Sequence, residues 1–207
     1  MSSLIRLPVT GINRHRLQTD GEGVTTLIGS YGCPLQCSYC LNPHTWAGDA
    51  KYRYYTPSEL LDTVKIDDLY FQATGGGLVF GGGEPLLHPE FIKEFKSICP
   101  PEWKIYAESS LNVPTENVKQ VLPFIDNYII DIKDMNPEIY QSYTGMDNGR
   151  VLQNLELLLE NIGPGRLVVR VPLIPSFNTR EDMEKSTQKL QNMGVTKLDI
   201  FSYIIRG

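Results

Sequence analysis

The sequence predicts an α/β fold, a partial (β/α)6 barrel, on two observations. Short β-branched runs alternate with amphipathic helical runs along most of the 207 residues. Alternation of this kind implies parallel strands joined by right-handed crossovers. Charged residues within the strands also recur near their C-terminal ends, on the side opposite the apolar residues.

The elements follow in order. An N-terminal arm of about residues 1–23 mixes Arg and His with isolated apolar residues. Val24–Ser30 (VTTLIGS) is β-branched and apolar, a strand. Pro57–Lys65 opens with a proline suited to a first helical turn and carries apolar residues at helical spacing. Leu78–Phe80 is a short buried strand between two glycine triplets. Pro89–Ile98 is an amphipathic helix ended by Pro100 and Pro101. Lys104–Glu108 reads as a strand, Glu116–Phe124 as a helix and Tyr128–Lys133 as a strand. Val151–Asn161 is an amphipathic helix stopped near Gly163-Pro164-Gly165. Leu167–Pro172 is a strand, Arg180–Asn192 a helix closed by Gly194, and Lys197–Tyr203 a last strand.

Side-chain parity selects a barrel over a doubly wound sheet. Period two places Ile129, Asp131 and Lys133 on one face and Ile130 and Ile132 on the other. Ile105 and Ala107 share an apolar face, leaving Tyr106 and Glu108 opposite, and Arg170 opposes Val169 and Val171. A barrel gathers its working groups at the C-terminal ends of its strands. A doubly wound sheet is covered by helices on both faces, where such charges would be costly to bury.

Composition narrows the function. The residues are 41% hydrophobic and 21% charged, ordinary for one globular domain, taken as residues 1–207. A net charge of −5 gives no basic footprint, so nucleic acid is not an expected partner. No run approaches the ~20 apolar residues of a membrane span, and Met1–Leu17 has no signal-peptide core. The expected location is the cytoplasm, where a tight cysteine group serves metal binding or catalysis better than disulfides.

Tyr31–Cys40 (YGCPLQCSYC) directly follows the first strand, and its Cys33, Cys37 and Cys40 have C-x3-C-x2-C spacing. Three thiolates from one short loop can surround a compact iron–sulfur cluster. The competing reading is a zinc site completed by His44 or a distant residue, which fits x3-then-x2 spacing less well than paired C-x2-C knuckles. Cys99, after the Pro89 helix, lies at the wrong end of a β/α unit to join that loop and is expected to be a lone buried thiol. Phe80-Gly81-Gly82-Gly83-Glu84-Pro85 ends the second strand. Its glycines allow a ligand close to the backbone, with a tight turn as the plainer reading. No helix opens directly after them, which disfavours a dinucleotide loop.

Taken together, C-x3-C-x-Y-C after the first strand and GGE after the second resemble the radical S-adenosylmethionine (SAM) superfamily. The resemblance implies a [4Fe–4S] cluster on Cys33, Cys37 and Cys40, its fourth iron left open for SAM, with Tyr39 in the aromatic position. It implies that Gly82, Gly83 and Glu84 bind the SAM amino group. More narrowly, the chain resembles the activating enzymes of glycyl radical enzymes, with pyruvate formate-lyase activase as the best-known type. Asp20-Gly21-Glu22-Gly23, Cys40–Trp46, Gly75-Gly76-Gly77, Asp131-Ile132-Lys133 and Arg170 all have counterparts there. By that resemblance Lys133 and Arg170 address the carboxylate and ribose of SAM. Asp131, with Glu108 and Ser109, would help to hold a monovalent cation. The implied partners are a glycyl radical enzyme as protein substrate and a flavodoxin or ferredoxin-type electron donor, in an anaerobic setting.

Two departures stand out. Ile204 follows Tyr203 where family members usually carry a histidine near the adenine, in a sequence that ends at Gly207. Four cysteines also leave no room for a ferredoxin-like insert. Three readings result: an activase acting on a backbone glycine, a radical SAM enzyme modifying a peptide, nucleoside or other small substrate, and a non-enzymatic iron–sulfur or zinc protein.

Overall fold

A computed structural model describes residues 4–17 and 20–203. In chain order the elements are strands β1 (Leu7–Leu17), β2 (Val24–Ser30) and β3 (Arg53–Tyr55), helices α1 (Pro57–Val64) and α2 (Asp68–Thr74), strand β4 (Gly77–Gly82) and helix α3 (Pro89–Ile98). Strand β5 (Lys104–Ser109), helix α4 (Thr115–Val121), strand β6 (Asn127–Asp131) and helices α5 (Pro137–Thr144) and α6 (Gly149–Asn161) follow. The chain closes with β7 (Leu167–Leu173), α7 (Arg180–Asn192) and β8 (Leu198–Ser202).

One eight-stranded sheet runs in the order β3-β1-β2-β4-β5-β6-β7-β8. From β2 onward the neighbours are parallel and sequential, so each crossover advances by one strand. The two ends, β3 and β8, do not meet, and the sheet is an open, partial barrel. Helix starts are fixed locally. Thr56 and Glu59 form a reciprocal capping box at α1, as Thr179 and Asp182 do at α7.

The core lies between the sheet and its helices, where period two places it. Ile105, Ala107, Ile130, Ile132, Val169 and Val171 join the buried apolar cluster with Phe91 and Phe95 of α3 and Leu155 and Leu158 of α6. Tyr106, Glu108, Asp131 and Arg170 therefore point to the other face. Cys99 joins the apolar cluster, at the C-terminal end of α3 and just before the N-terminal end of β5. It stands away from the loop that follows the C-terminal end of β2.

Three differences from the expectation have physical causes. The expected N-terminal arm contains the longest strand, β1, paired antiparallel to β2 and β3 through two register shifts. Pro8, Gly11 and the polar run at 13–16 obscure its period, but the backbone completes the β2 edge. The expected strand Tyr128–Lys133 ends at Asp131; Ile132 makes a last bond to the Arg170 carbonyl, and Lys133 sits in the loop beyond. Helix α5, like α2 and the short β3, falls where the sequence predicts no element; the residues of α5 are mostly polar, and Asn136 caps its first turn. Residues 204–207, where the adenine-side histidine was expected to be lacking, lie outside the described residues. Among the described residues no helix is long and apolar enough to cross a membrane.

Candidate functional site

The cysteine loop is held from several sides. Tyr31 N–H donates to the Pro8 carbonyl (2.9 Å) and Gly32 N–H to that of Thr45 (2.7 Å). Gln36 and Ser38 N–H groups donate to the carbonyls of Thr144 (3.1 Å) and Tyr143 (3.0 Å) at the end of α5. Leu35, buried in the core, anchors the middle of the loop. Cys33, Cys37 and Cys40 are half-buried free thiols. Burial, with the Glu84 carboxylate nearby, pushes the Cys33 thiol up to about 12. Burial also raises Cys37, and Lys133 partly offsets it. Thiols raised in this way would lose their protons on binding a metal centre.

No three His, Cys, Asp or Glu side chains among the described residues converge as ligands of a single metal ion do. A zinc ion needs its ligands within ~2.0–2.3 Å of one point. A four-iron cluster takes each thiolate on a different iron, so thiols spread along one loop suit it better. His44 is exposed, which leaves the zinc alternative without its expected fourth ligand at the loop.

The glycine segment is zipped onto this loop. Gly83 N–H donates to the Ser30 carbonyl (3.0 Å) and Glu84 N–H to the Gly32 carbonyl (2.7 Å). Gly82 adopts φ +83°, and a Cβ on Gly83 would overlap the Gly32 carbonyl. Both glycines are thus required by close backbone approach. Glu84 departs from the expected SAM contact. Its carboxylate, 1% exposed, accepts from Leu86 N–H (3.2 Å), Ser109 Oγ (2.7 Å), Ser110 N–H (2.9 Å) and Ser110 Oγ (2.7 Å). Four donors fill the acceptor capacity of the group. It pins the end of β4 to the end of β5, leaving the backbone of Gly82 and Gly83 as the part of the motif open to a ligand.

Lys133 Nζ lies 3.0 Å from Asp131 Oδ2. Burial is the largest single influence and works against its charge, but Asp131, Tyr203, Cys37 and Tyr143 together outweigh it and hold the ammonium well above its ordinary value. The lysine therefore presents a fixed positive charge beside the cysteine loop. Tyr39 packs edge-on against Phe177 (5.6 Å between centroids) and near Tyr143 (6.3 Å), an aromatic wall on the same side.

Arg170 and Glu108 sit deeper. Arg170 bonds Glu108 Oε1 at 2.7 Å and lies 3.8 Å from Asp20 and 3.6 Å from Asp199. Arg16 clamps the other side of buried Asp20. Burial and the Asp20 charge push Glu108 up to about 7, against the pull of Arg170. The arginine also lines a cavity of about 280 Å³ with Tyr106, Asn127, Lys197 and Asp199, near the N-terminal ends of the strands. It forms a floor to the barrel at that end. Of the expected trio of Glu108, Ser109 and Asp131, the two carboxylates share the inner face and Ser109 does not join them. Ser109 is adjacent to Glu108 in an extended strand and so turns to the opposite face, toward Glu84, while Asp131 is engaged by Lys133.

Several contacts of the site carry no periodic signal in the sequence: Trp46 against Cys40 and Asp20 under Arg170, both within segments that resemble the family, and Tyr143 and Phe177 around Tyr39. All these residues are separated in sequence from their partners or belong to loops, where period says nothing.

Comparison with known proteins bears on this arrangement. The model of the radical SAM superfamily matches residues 27–190. The pyruvate formate-lyase-activating enzyme of Clostridium pasteurianum is 31% identical over 91% of this chain and 79% of its own length. The (2S)-3-sulfopropanediol dehydratase activating enzyme of Klebsiella oxytoca is 35% identical over 77% of this chain and 69% of its own. Among solved structures, Streptococcus suis SuiB bound to its precursor peptide SuiA superposes with a TM-score of 0.65 at 12% identity, a likeness of fold. The match covers 86% of this chain and 38% of SuiB, so the chain spans well under half of that structure.

Proposed function

The chain belongs to the radical SAM superfamily, and on that premise we propose that it cleaves SAM reductively at Cys33, Cys37 and Cys40 to install a glycyl radical on a partner enzyme. The observation that carries the reading is one loop presenting three thiols, zipped to a glycine segment and faced by the half-buried Lys133 ammonium. The non-enzymatic reading is set aside, because the relatives matched along most of their length are named as activating enzymes.

The roles divide by chemistry. Cys33, Cys37 and Cys40 hold a [4Fe–4S] cluster. When bound, that group supplies one electron, which splits SAM into methionine and a 5′-deoxyadenosyl radical. Lys133, kept charged by Asp131, takes the carboxylate of the methionine moiety. The backbone of Gly82 and Gly83 receives its amino group at the close approach that only glycine permits. Tyr39 offers an aromatic face to the adenosyl part. Arg170 holds Glu108, Asp20 and Asp199 and closes the barrel beneath, which keeps water from the reacting centre. A monovalent cation would fall to Glu108 and Asp131, which share the inner face, while the Ser109 hydroxyl turns away to Glu84. Two named activases among the relatives support a protein substrate. A flavodoxin or ferredoxin-type donor and the reducing, anaerobic cytoplasm fit four free thiols.

The test is electron paramagnetic resonance after anaerobic reconstitution, reduction and mixing with SAM and a candidate glycyl radical enzyme. The expected result is a glycine-centred doublet, lost when the partner's glycine becomes alanine, with 5′-deoxyadenosine formed by the wild type and not by Cys37→Ala. Formation of 5′-deoxyadenosine without a doublet on any such partner turns the reading to a peptide, nucleoside or small substrate. No cleavage with a reduced cluster overturns it altogether.

A further inference from the structure

The loop that follows the third cysteine makes a contact that the function proposed above leaves unused. Pro43–Thr45 forms one 3-10 turn, in which Thr45 N–H donates to the Asn42 carbonyl (2.9 Å) and Trp46 N–H to the Pro43 carbonyl (3.3 Å). Thr45 is fully buried, and its own carbonyl accepts from Gly32 N–H at 2.7 Å, next to Cys33. The turn is therefore fastened to the cysteine loop at Thr45. It delivers the half-buried Trp46 so that indole Nε1 lies 3.5 Å from Cys40 Sγ. Sulfur is larger than oxygen, and at that separation an N–H donates to it. Indole N–H is a donor only, so the direction of the bond is fixed.

We propose that Trp46 is a positioning residue that sets the reduction potential of the cluster by donating its indole N–H to the Cys40 sulfur. The inference rests on the reading of Cys33, Cys37 and Cys40 as cluster ligands. Hydrogen bonds to ligand sulfurs are among the levers that set iron–sulfur potentials. A donated N–H draws electron density from the thiolate and so favours the cluster state that carries one more electron. The bond raises the potential and eases reduction by a donor. Indole is a neutral donor, so removing its N–H leaves the charge of the site unchanged.

The experiment is a redox titration of the reconstituted, SAM-free protein, followed by the electron paramagnetic resonance signal of the reduced cluster, for wild type and Trp46→Phe. Iron per chain is measured in parallel. The expected result is full iron content in both, with the midpoint of Trp46→Phe shifted to more negative potential. An unchanged midpoint at full iron content overturns the proposal. A second protein carries 3-benzothienylalanine at position 46, which keeps the two-ring shape and replaces N–H by sulfur. It should load iron as wild type does and reproduce the negative shift. Loss of iron from that isostere overturns the proposal as well, because the N–H would then govern retention of the cluster and not its potential. A wild type that assembles no four-iron cluster refutes the underlying reading of the cysteines, an outcome distinct from either.

Discussion

Replacing Glu84 by alanine separates its two possible roles, ligand contact and structural pin. In the structure its carboxylate receives four donors, two of them the backbone N–H groups of Leu86 and Ser110. The Ser109 and Ser110 hydroxyls can rotate toward other acceptors, but the two backbone groups cannot. Each buried N–H left without an acceptor costs about 1–3 kcal/mol, so about 4 kcal/mol for the pair. Burial raises the pKa of Glu84, against the pull of its serine partners, so removing the group also relieves some desolvation. We set the net loss at about 3 kcal/mol, a large share of the ~5–15 kcal/mol that holds a domain folded. In urea unfolding of the protein without cluster or SAM, Glu84→Ala should unfold at a clearly lower midpoint with an unchanged slope. By heat the same loss corresponds to a fall of about 6–12 °C in a chain of this size. If the variant unfolds with the wild type and merely binds SAM more weakly, the pin argument is wrong and Glu84 acts on the ligand directly.

Three further outcomes follow from the geometry. Gly83→Ala would drive a Cβ into the Gly32 carbonyl, with the Ser30 carbonyl 2.7 Å away, so the segment and the cysteine loop must part. Iron bound per chain after reconstitution should fall severalfold, and normal iron content would refute the close-approach reading. Lys133→Ala should weaken SAM binding at least tenfold by equilibrium titration while iron content stays normal; equal affinity would return Lys133 to a simple ion pair with Asp131. The third outcome concerns pH. Burial and Asp20 raise Glu108 from an ordinary 4.5 to about 7 in the folded state, so the fold favours the neutral acid. That contribution is complete below about pH 4.5 and is lost as pH rises through about 7, a decline of about 3 kcal/mol by linkage. Urea midpoints between pH 5 and 8 should fall with pH in the wild type and less steeply in Glu108→Gln. Identical slopes would count against it.

Much of the fold is legible in the sequence because its strands and helices carry clean periods. Pro89–Ile98 and Arg180–Asn192 begin and end where proline, capping and glycine signals place them. Period two alone sorts Glu108, Asp131 and Arg170 onto the inner face. The same rule, carried one residue further, puts Ser109 on the outer face, yet the family likeness places it beside Glu108. There local geometry outweighs analogy. Strand β1 is hidden from such a reading because its pairing with β2, and not its composition, makes it a strand. The hydrogen bonds of Glu84 join residues 25 and 26 positions apart in sequence, and the indole on Cys40 depends on a single 3-10 turn. Neither leaves a repeating trace that a window of sequence can report.

The bonds from Gln36 and Ser38 to the carbonyls of Thr144 and Tyr143 also set a schedule for the newborn chain. The cysteines are made early, but the helix end that clamps their loop is made more than a hundred residues later. Until α5 has left the ribosome and packed, the loop lacks its two bonds at Gln36 and Ser38, and its thiols are less well sheltered from wrong metals and oxidation. Cluster delivery thus belongs after most of the barrel has formed. A ribosome-stalled chain ending before Thr144 should take up iron poorly, although all three ligands are already present.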